Sequence, residues 1–159
     1  MIIAVDPGKT GAIAVVDGPL LLDVCDMPIT EKEIDPAKLG DIINLFSISY
    51  GCDQMIVERV AARPRQGVVS TFNFGVSFGI VKGVAGAFAI DTEYVTPQKW
   101  KKDLQLSSDK DHSRMMAMEL WPDARERFAR KKDDGRAEAA LIGYWKEITD
   151  ELQFASGLS

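Results

Sequence analysis

The chain opens on an uninterrupted apolar run, Met1 to Asp6, closed by an acid and the turn pair Pro7-Gly8. A short apolar run bounded by turn signals predicts a buried strand. Gly11 to Val16 and Leu20 to Met27 repeat the pattern on either side of Asp17-Gly18-Pro19, so the beginning of the chain predicts an antiparallel meander of three strands. Asp35-Pro36 marks a helix start, and Leu39, Ile42, Ile43 and Phe46 follow at helical spacing. Gln54 to Glu58 predicts another strand. After it come a loop from Arg59 to Gln66, a long helix to about Ala89 and a strand near Glu93 to Val95. The remainder reads as helix: a short one from Pro97, one from about Asp109 to Leu120, and a last from about Gly135 to Leu152. This order predicts a single α/β domain, residues 1–159, with a mixed five-stranded sheet flanked by helices.

Composition adds limits. With 159 residues, 46% hydrophobic and 27% charged, the chain is long enough to bury a core of its own. Cys25 and Cys52 fit no zinc or redox spacing, and the first residues already read as a strand, which together predict a protein of the reducing cytoplasm. The apolar stretch from Phe72 to Ile90 is interrupted by Asn73, Lys82 and several glycines, so no membrane segment is expected. Gly75, Gly79 and Gly83 form a smooth stripe along that helix, suited to close approach by the sheet beneath or by the same helix of a second subunit. The net charge of −5 speaks against a phosphate-rich partner until the distribution is considered. Acids crowd the early chain, whereas bases bunch at Arg63 and Arg65, at Lys99, Lys101 and Lys102, and at Arg130, Lys131, Lys132 and Arg136, so a local basic surface for nucleic acid is compatible with the balance.

The acids carry the chemistry. Asp6 and Glu58 each end a short apolar strand just before a turn or loop, where two carboxylates can point into one pocket. Aspartate before Pro-Gly is also a common turn former. Asp134 and Glu138 are four residues apart and share a face if both are helical. Asp133 or Asp134 is equally placed to cap that helix. Glu138 lies among small apolar residues, where an unpaired charge is costly and a cation would relieve it. Carboxylates from separate elements without a His or Cys cluster suit a hard cation such as Mg²⁺ or Mn²⁺. A pair of such ions activates water and stabilises the leaving oxygen of a phosphodiester. His112 has no partner in sequence and reads as a polar helix residue.

Ribonuclease-H-like and actin-like folds both begin with this element order. Five segments add to it: Ile3-Ala4-Val5-Asp6-Pro7-Gly8, Met55-Ile56-Val57-Glu58, Phe72-Asn73-Phe74-Gly75, Val95-Thr96-Pro97-Gln98-Lys99-Trp100-Lys101-Lys102, and Lys132-Asp133-Asp134-Gly135-Arg136-Ala137-Glu138-Ala139. In their order and over nearly the whole chain they resemble the RuvC-type Holliday junction resolvases, especially the bacteriophage and prophage branch. The resemblance implies a ribonuclease-H-like fold, a homodimer, and cleavage of one strand of a four-way DNA junction by each subunit. It implies two Mg²⁺ ions per subunit, replaceable by Mn²⁺: Asp6 would bridge both, Glu58 would bind one, and Glu138 with Asp134, or Asp133 in its place, would bind the other. Two departures stand out. The last acid of the family is more often aspartate than glutamate, and the ligand before it usually lies three residues earlier, where this chain has Gly135. Lys102 and Lys110, then Lys101, are the candidates for contact with the scissile phosphate. Arg63, Arg65, Gln66, Phe72 and Phe74 combine bases and aromatics able to hold phosphates and stack on unpaired bases, although phenylalanines at a helix start are more often core residues.

Three other readings remain open on the sequence. Asp6-Pro7-Gly8-Lys9-Thr10-Gly11 resembles the phosphate loop of actin-like sugar kinases and ATPases, whose architecture needs a second similar domain. A module that grips junctions without cutting them would keep the basic surface alone. A relative acting on other branched DNA or on RNA would keep the acids.

Overall fold

The computed structural model describes residues 1–59, 61, 67–107 and 109–157, apart from the side chain of Lys110. Its centre is the meander expected from the sequence: β1 (Ile2–Asp6), β2 (Ala12–Asp17) and β3 (Leu20–Asp26), paired antiparallel. A small two-stranded ribbon, β4 (Ile29–Thr30) and β5 (Glu33–Ile34), follows and was not foreseen. Helix α1 (Pro36–Tyr50) starts as Asp35-Pro36 predicts, because the Asp35 carboxylate accepts from the backbone N–H groups of Ala37 and Lys38. It ends at Gly51, whose φ of 70° is the left-handed turn that glycine adopts without strain.

Then come β6 (Gln54–Glu58), α2 (Val68–Ala87) and β7 (Asp91–Val95). Among the described residues the main sheet has five strands in the order β3-β2-β1-β6-β7, with β6 parallel to β1 and β7 parallel to β6. It is therefore the mixed sheet the element order predicted. The chain finishes with α3 (Pro97–Asp103), α4 (Lys110–Leu120), two 3₁₀ segments (Pro122–Phe128 and Lys131–Asp133) and α5 (Asp134–Ala155).

Alternation along the inner strands sorts the core into two layers. Ile3, Val5, Ile13 and Val15 face Leu39, Ile43 and Phe46 of α1 and Val81 and Ala85 of α2. Ile2, Ala4, Ala12, Ala14 and Val16 face Trp100 of α3, Ala117 of α4 and the buried run Ala139 to Ile142 of α5. The second face is built from small residues, which lets α5 lie close. A β-carbon at Gly143 would come within 2.8 Å of Val16 Cγ2 and 3.1 Å of Ala4 Cβ.

Helix α2 is different in kind. It buries only Ser77, Val81 and Ala85 completely. Contrary to the sequence reading, Asn73, Lys82 and the glycines do not disqualify it as a membrane span by length and composition, since its mean hydropathy still reaches 1.4. The stripe of Gly75, Gly79 and Gly83 does not lie on the sheet: a β-carbon at any of the three would meet nothing within 4 Å among the described residues.

Candidate functional site

Because β1 and β6 run parallel with Ala4 beside Ile56 and Val5 beside Val57, their next residues, Asp6 and Glu58, leave the sheet side by side at the same edge. Both are half-buried. Asp6 accepts a hydrogen bond from Gly8 N–H at 3.2 Å, which folds the Pro7-Gly8 turn back over its own carboxylate. Gly11 closes the same turn so tightly that a β-carbon there would fall 2.1 Å from the Asp6 carbonyl oxygen and 2.9 Å from Asp6 Cγ. Real Cβ atoms do not approach backbone so closely, so the Asp6 turn requires glycine at this point.

The start of α5 docks on that turn. A β-carbon at Gly135 would lie 2.1 Å from Thr10 O and 2.9 Å from Gly11 Cα. This is the physical reason for the departure noted in the sequence: no side chain, acidic or otherwise, fits at position 135. The carboxylates on either side of it are Asp134, in the first turn of α5, and Glu138, one turn on and on the same face as Asp134. Arg136 fixes the helix laterally by a two-pronged ion pair to Asp26 at the end of β3, at 2.5 and 2.7 Å.

Helix α3 joins these parts. Thr96 caps it and Pro97 occupies its first turn. Trp100, fully buried, donates its indole N–H to Glu58 Oε1 at 2.9 Å. The next residue, Lys101, places its Nζ 2.6 Å from Glu138 Oε1 and 5.1 Å from the centre of the Trp100 ring. Glu58 and Glu138, from a strand and a distant helix, are thus held by adjacent residues of one short helix.

Asp133 has a different occupation. It is only 1% exposed, and its carboxylate accepts from the backbone N–H of Arg130 and from the Arg130 guanidinium, at 2.8 to 3.1 Å. Burial opposes its ionisation, but the Arg130 hydrogen bonds outweigh burial and hold the carboxyl below its ordinary value. Asp133 does not cap α5 with its side chain. Of the two acids weighed in the sequence, Asp133 is the one held by Arg130.

The remaining candidates divide by position. Phe72 and Phe74, 70% and 43% exposed on the first turns of α2, are not core residues. Lys102 is exposed on α3, whereas Lys101 points inward to Glu138. Arg63, Arg65 and Gln66, and the side chain of Lys110, lie outside the described residues. His112 contacts Ser107 and has no acidic or cysteine neighbour in that contact, consistent with a polar helix residue. Sequence reasoning missed Trp100 and Arg130 as supporting residues. The signal for Trp100 was a lone tryptophan inside a lysine run, since a buried indole N–H needs an acceptor.

A divalent cation fits this edge by donor chemistry: every candidate ligand is a carboxylate, and Glu138 already attracts a cation in the form of the Lys101 ammonium. Among the described residues, however, no three His, Cys, Asp or Glu side chains are gathered as a finished ion-holding group.

A sheet of order β3-β2-β1-β6-β7 with helices on both faces is the ribonuclease-H-like fold, as the sequence resemblance implied. Solved structures bear this out. The chain is similar to RuvC of Thermus thermophilus in complex with a Holliday junction substrate, at 15% identity and a TM-score of 0.67 over 93% of this chain and 94% of that one. A second structure of Thermus thermophilus RuvC matches at 14% identity and a TM-score of 0.59, covering 94% and 96%. The yeast mitochondrial Holliday junction resolvase Ydc2 matches at 13% identity and a TM-score of 0.54, covering 99% and 86%. At such identities the likeness is one of fold. No protein-family model matches the chain, and no curated protein matches it significantly.

Proposed function

We propose that the protein is a divalent-metal-dependent endonuclease that cuts four-way DNA junctions. The observation that carries this reading is the meeting of Asp6 and Glu58 at one sheet edge, to which α5 and α3 bring Glu138 and Lys101. Asp6, Glu58, Asp134 and Glu138 would hold Mg²⁺ or Mn²⁺, two ions per subunit, which when bound supply an activated water and charge stabilisation for phosphodiester hydrolysis. The chain's own residues do the rest. Trp100 fixes the orientation of Glu58, and the Gly11 and Gly135 contacts fix Asp6 against the start of α5. Lys101, Lys102 and Lys110 are the phosphate contacts, with Arg63, Arg65 and Gln66 as further candidates from the sequence, and Phe72 and Phe74, exposed at the start of α2, stack on bases unpaired at the branch point. The fold likeness to a RuvC bound to a Holliday junction substrate favours a branched partner over plain duplex.

Symmetric resolution needs two identical sites related by a two-fold axis, which an isologous dimer supplies. The open, apolar, glycine-striped face of α2 is the surface for that dimer. A phage or prophage source for such an enzyme rests on the sequence resemblance.

The test compares a synthetic four-way junction with duplex, flap and RNA–DNA hybrid in Mg²⁺, Mn²⁺, Ca²⁺ and EDTA. Paired symmetric nicks in the junction are expected with Mg²⁺ or Mn²⁺, none with EDTA, and binding rather than cutting with Ca²⁺. Asp6→Asn and Glu58→Gln should each abolish cutting while junction binding stays within a few-fold. Near-wild-type cutting by Asp6→Asn, or cutting without metal, would overturn the assignment; tight binding with no cutting by the wild type would leave a junction-gripping module.

A further inference from the structure

Glu138 occupies a place where a carboxylate needs a cation. It lies on α5 between the fully buried Ala137 and Ala139, and its side chain is 11% exposed. Losing water there without a positive partner is costly. The partner in the structure is Lys101, itself only 18% exposed, at 2.6 Å. Its approach is fixed from several directions. The ammonium stands over the ring of Trp100 at 5.1 Å, Trp100 is tied to Glu58, and Asp103 at the end of the same helix accepts from the Trp145 indole of α5 at 2.9 Å.

We propose that Lys101 is a tethered cation that satisfies Glu138 while no divalent ion is bound and competes with that ion for the carboxylate. The inference rests on the metal-dependent reading above. An ammonium and a divalent ion repel strongly at contact distance of one buried carboxylate, so the oxygen that Lys101 holds becomes a full metal ligand only when Lys101 leaves it. The side chain of Glu138 is turned to Lys101 of α3. Lys101 therefore has two positions. In one it completes the folded core in the absence of metal; in the other its charge is freed at the same edge, where a phosphate is to be held. Metal loading and the arrival of a positive charge for DNA become one event. The competition lowers metal affinity, as any process that must first break a native contact lowers it.

The experiment is Mn²⁺ binding to the whole chain, without DNA, by isothermal titration calorimetry. Lys101→Met removes the competitor, and Mn²⁺ should bind about tenfold more tightly, the equivalent of about 1.4 kcal/mol. Lys101→Arg keeps a cation on Glu138 and should leave the affinity near that of the wild type. Lys101→Gln, neutral but still able to donate a hydrogen bond, should tighten binding to a smaller degree and serves if the methionine variant does not fold by circular dichroism. A residue that merely braces the fold would weaken Mn²⁺ binding when removed, or leave it unchanged. Unchanged or weaker binding by the neutral variants, with binding still dependent on Asp6 and Glu58, would overturn this proposal and spare the metal site. A wild type that binds no Mn²⁺ would overturn both.

Discussion

The two long helices α2 and α5 each carry more than one glycine, and they use the residue for opposite ends. In α5, Gly135 and Gly143 are places where a β-carbon would strike Thr10, Gly11, Val16 or Ala4 of the central strands and their turn. In α2, β-carbons at Gly75, Gly79 and Gly83 would meet nothing among the described residues. The difference extends to how each helix begins. α5 starts under the constraint of Gly135 on Thr10, Arg136 on Asp26, and the Asp133–Arg130 clasp just before it. α2 starts at Gly67 with no side-chain cap, and exposes Val68, Val69 and Phe72 at once. Glycine in a helix costs about 1 kcal/mol relative to alanine, so each occurrence calls for a return. For α5 the return is inside the subunit: the close contact sets the start of the helix against the Asp6 turn. For α2 no return is found among the described residues, and the proposed second subunit would provide it.

The contrast is broken most severely at Gly135. Gly135→Ala should destabilise the chain by about 3 kcal/mol or more, the upper end of overpacking costs, because the new methyl meets backbone that cannot swing aside. Urea denaturation measures this. An alanine tolerated at 135 would mean that the helix start rides loosely over the Asp6 turn and that the geometry argued for the acids does not hold.

A smaller and two-signed effect belongs to α2. Gly79→Ala has room, so at concentrations where the chain is monomeric it should gain up to about 1 kcal/mol from helix propensity. If the stripe is the dimer face, Gly79→Leu should at the same time drive the subunits apart in sedimentation and turn paired nicks into single ones. A wild type that is monomeric at micromolar concentration, yet cuts in symmetric pairs, would remove α2 from that role.

The two helices also differ in how much the sequence disclosed. Strands β1 and β6 were legible because a buried strand is an uninterrupted apolar run, and their acidic ends, Asp6 and Glu58, stood out for the same reason. The β4–β5 ribbon was not, because its turn carries Glu31 and Lys32 at φ 50° and 70°, where the usual signal is Asn-Gly. That Arg130 holds Asp133 was hidden because the pair forms only when the turn before α5 folds back on itself. The role of Lys101 was hidden for a related reason: of the lysines around it, only packing across 37 residues of sequence selects the one that reaches Glu138. For Gly135 the sequence showed a missing ligand; the reason, a backbone contact with Thr10, exists only in three dimensions.

The least effect is expected from acid, and it should fall on the start of α5 and not on α2. The Asp26 carboxyl is held below its ordinary value first by the Arg136 hydrogen bonds, and Asp133 is held low by Arg130 despite its burial. A carboxyl whose folded value is depressed adds stability that is fully present above its unfolded value, about 3.9, and is lost as pH falls through the folded one. Stability from these two pairs should therefore be flat from about pH 5 upward and should decline below about pH 4. Helix α2 has no acid in its first turn and no capping carboxylate to lose. Hydrogen exchange at pH 3.5 and pH 6 should accordingly show loosening of the amides around 130–138 before those of 70–85. Asp26→Asn should remove part of that pH dependence while costing no more than about 1 kcal/mol at pH 7, since Asp26 is largely exposed and such pairs are screened by solvent. Equal loosening of the two helices in acid would show that the ion pairs do not anchor α5, and that its position over the Asp6 turn is kept by the glycine contacts alone.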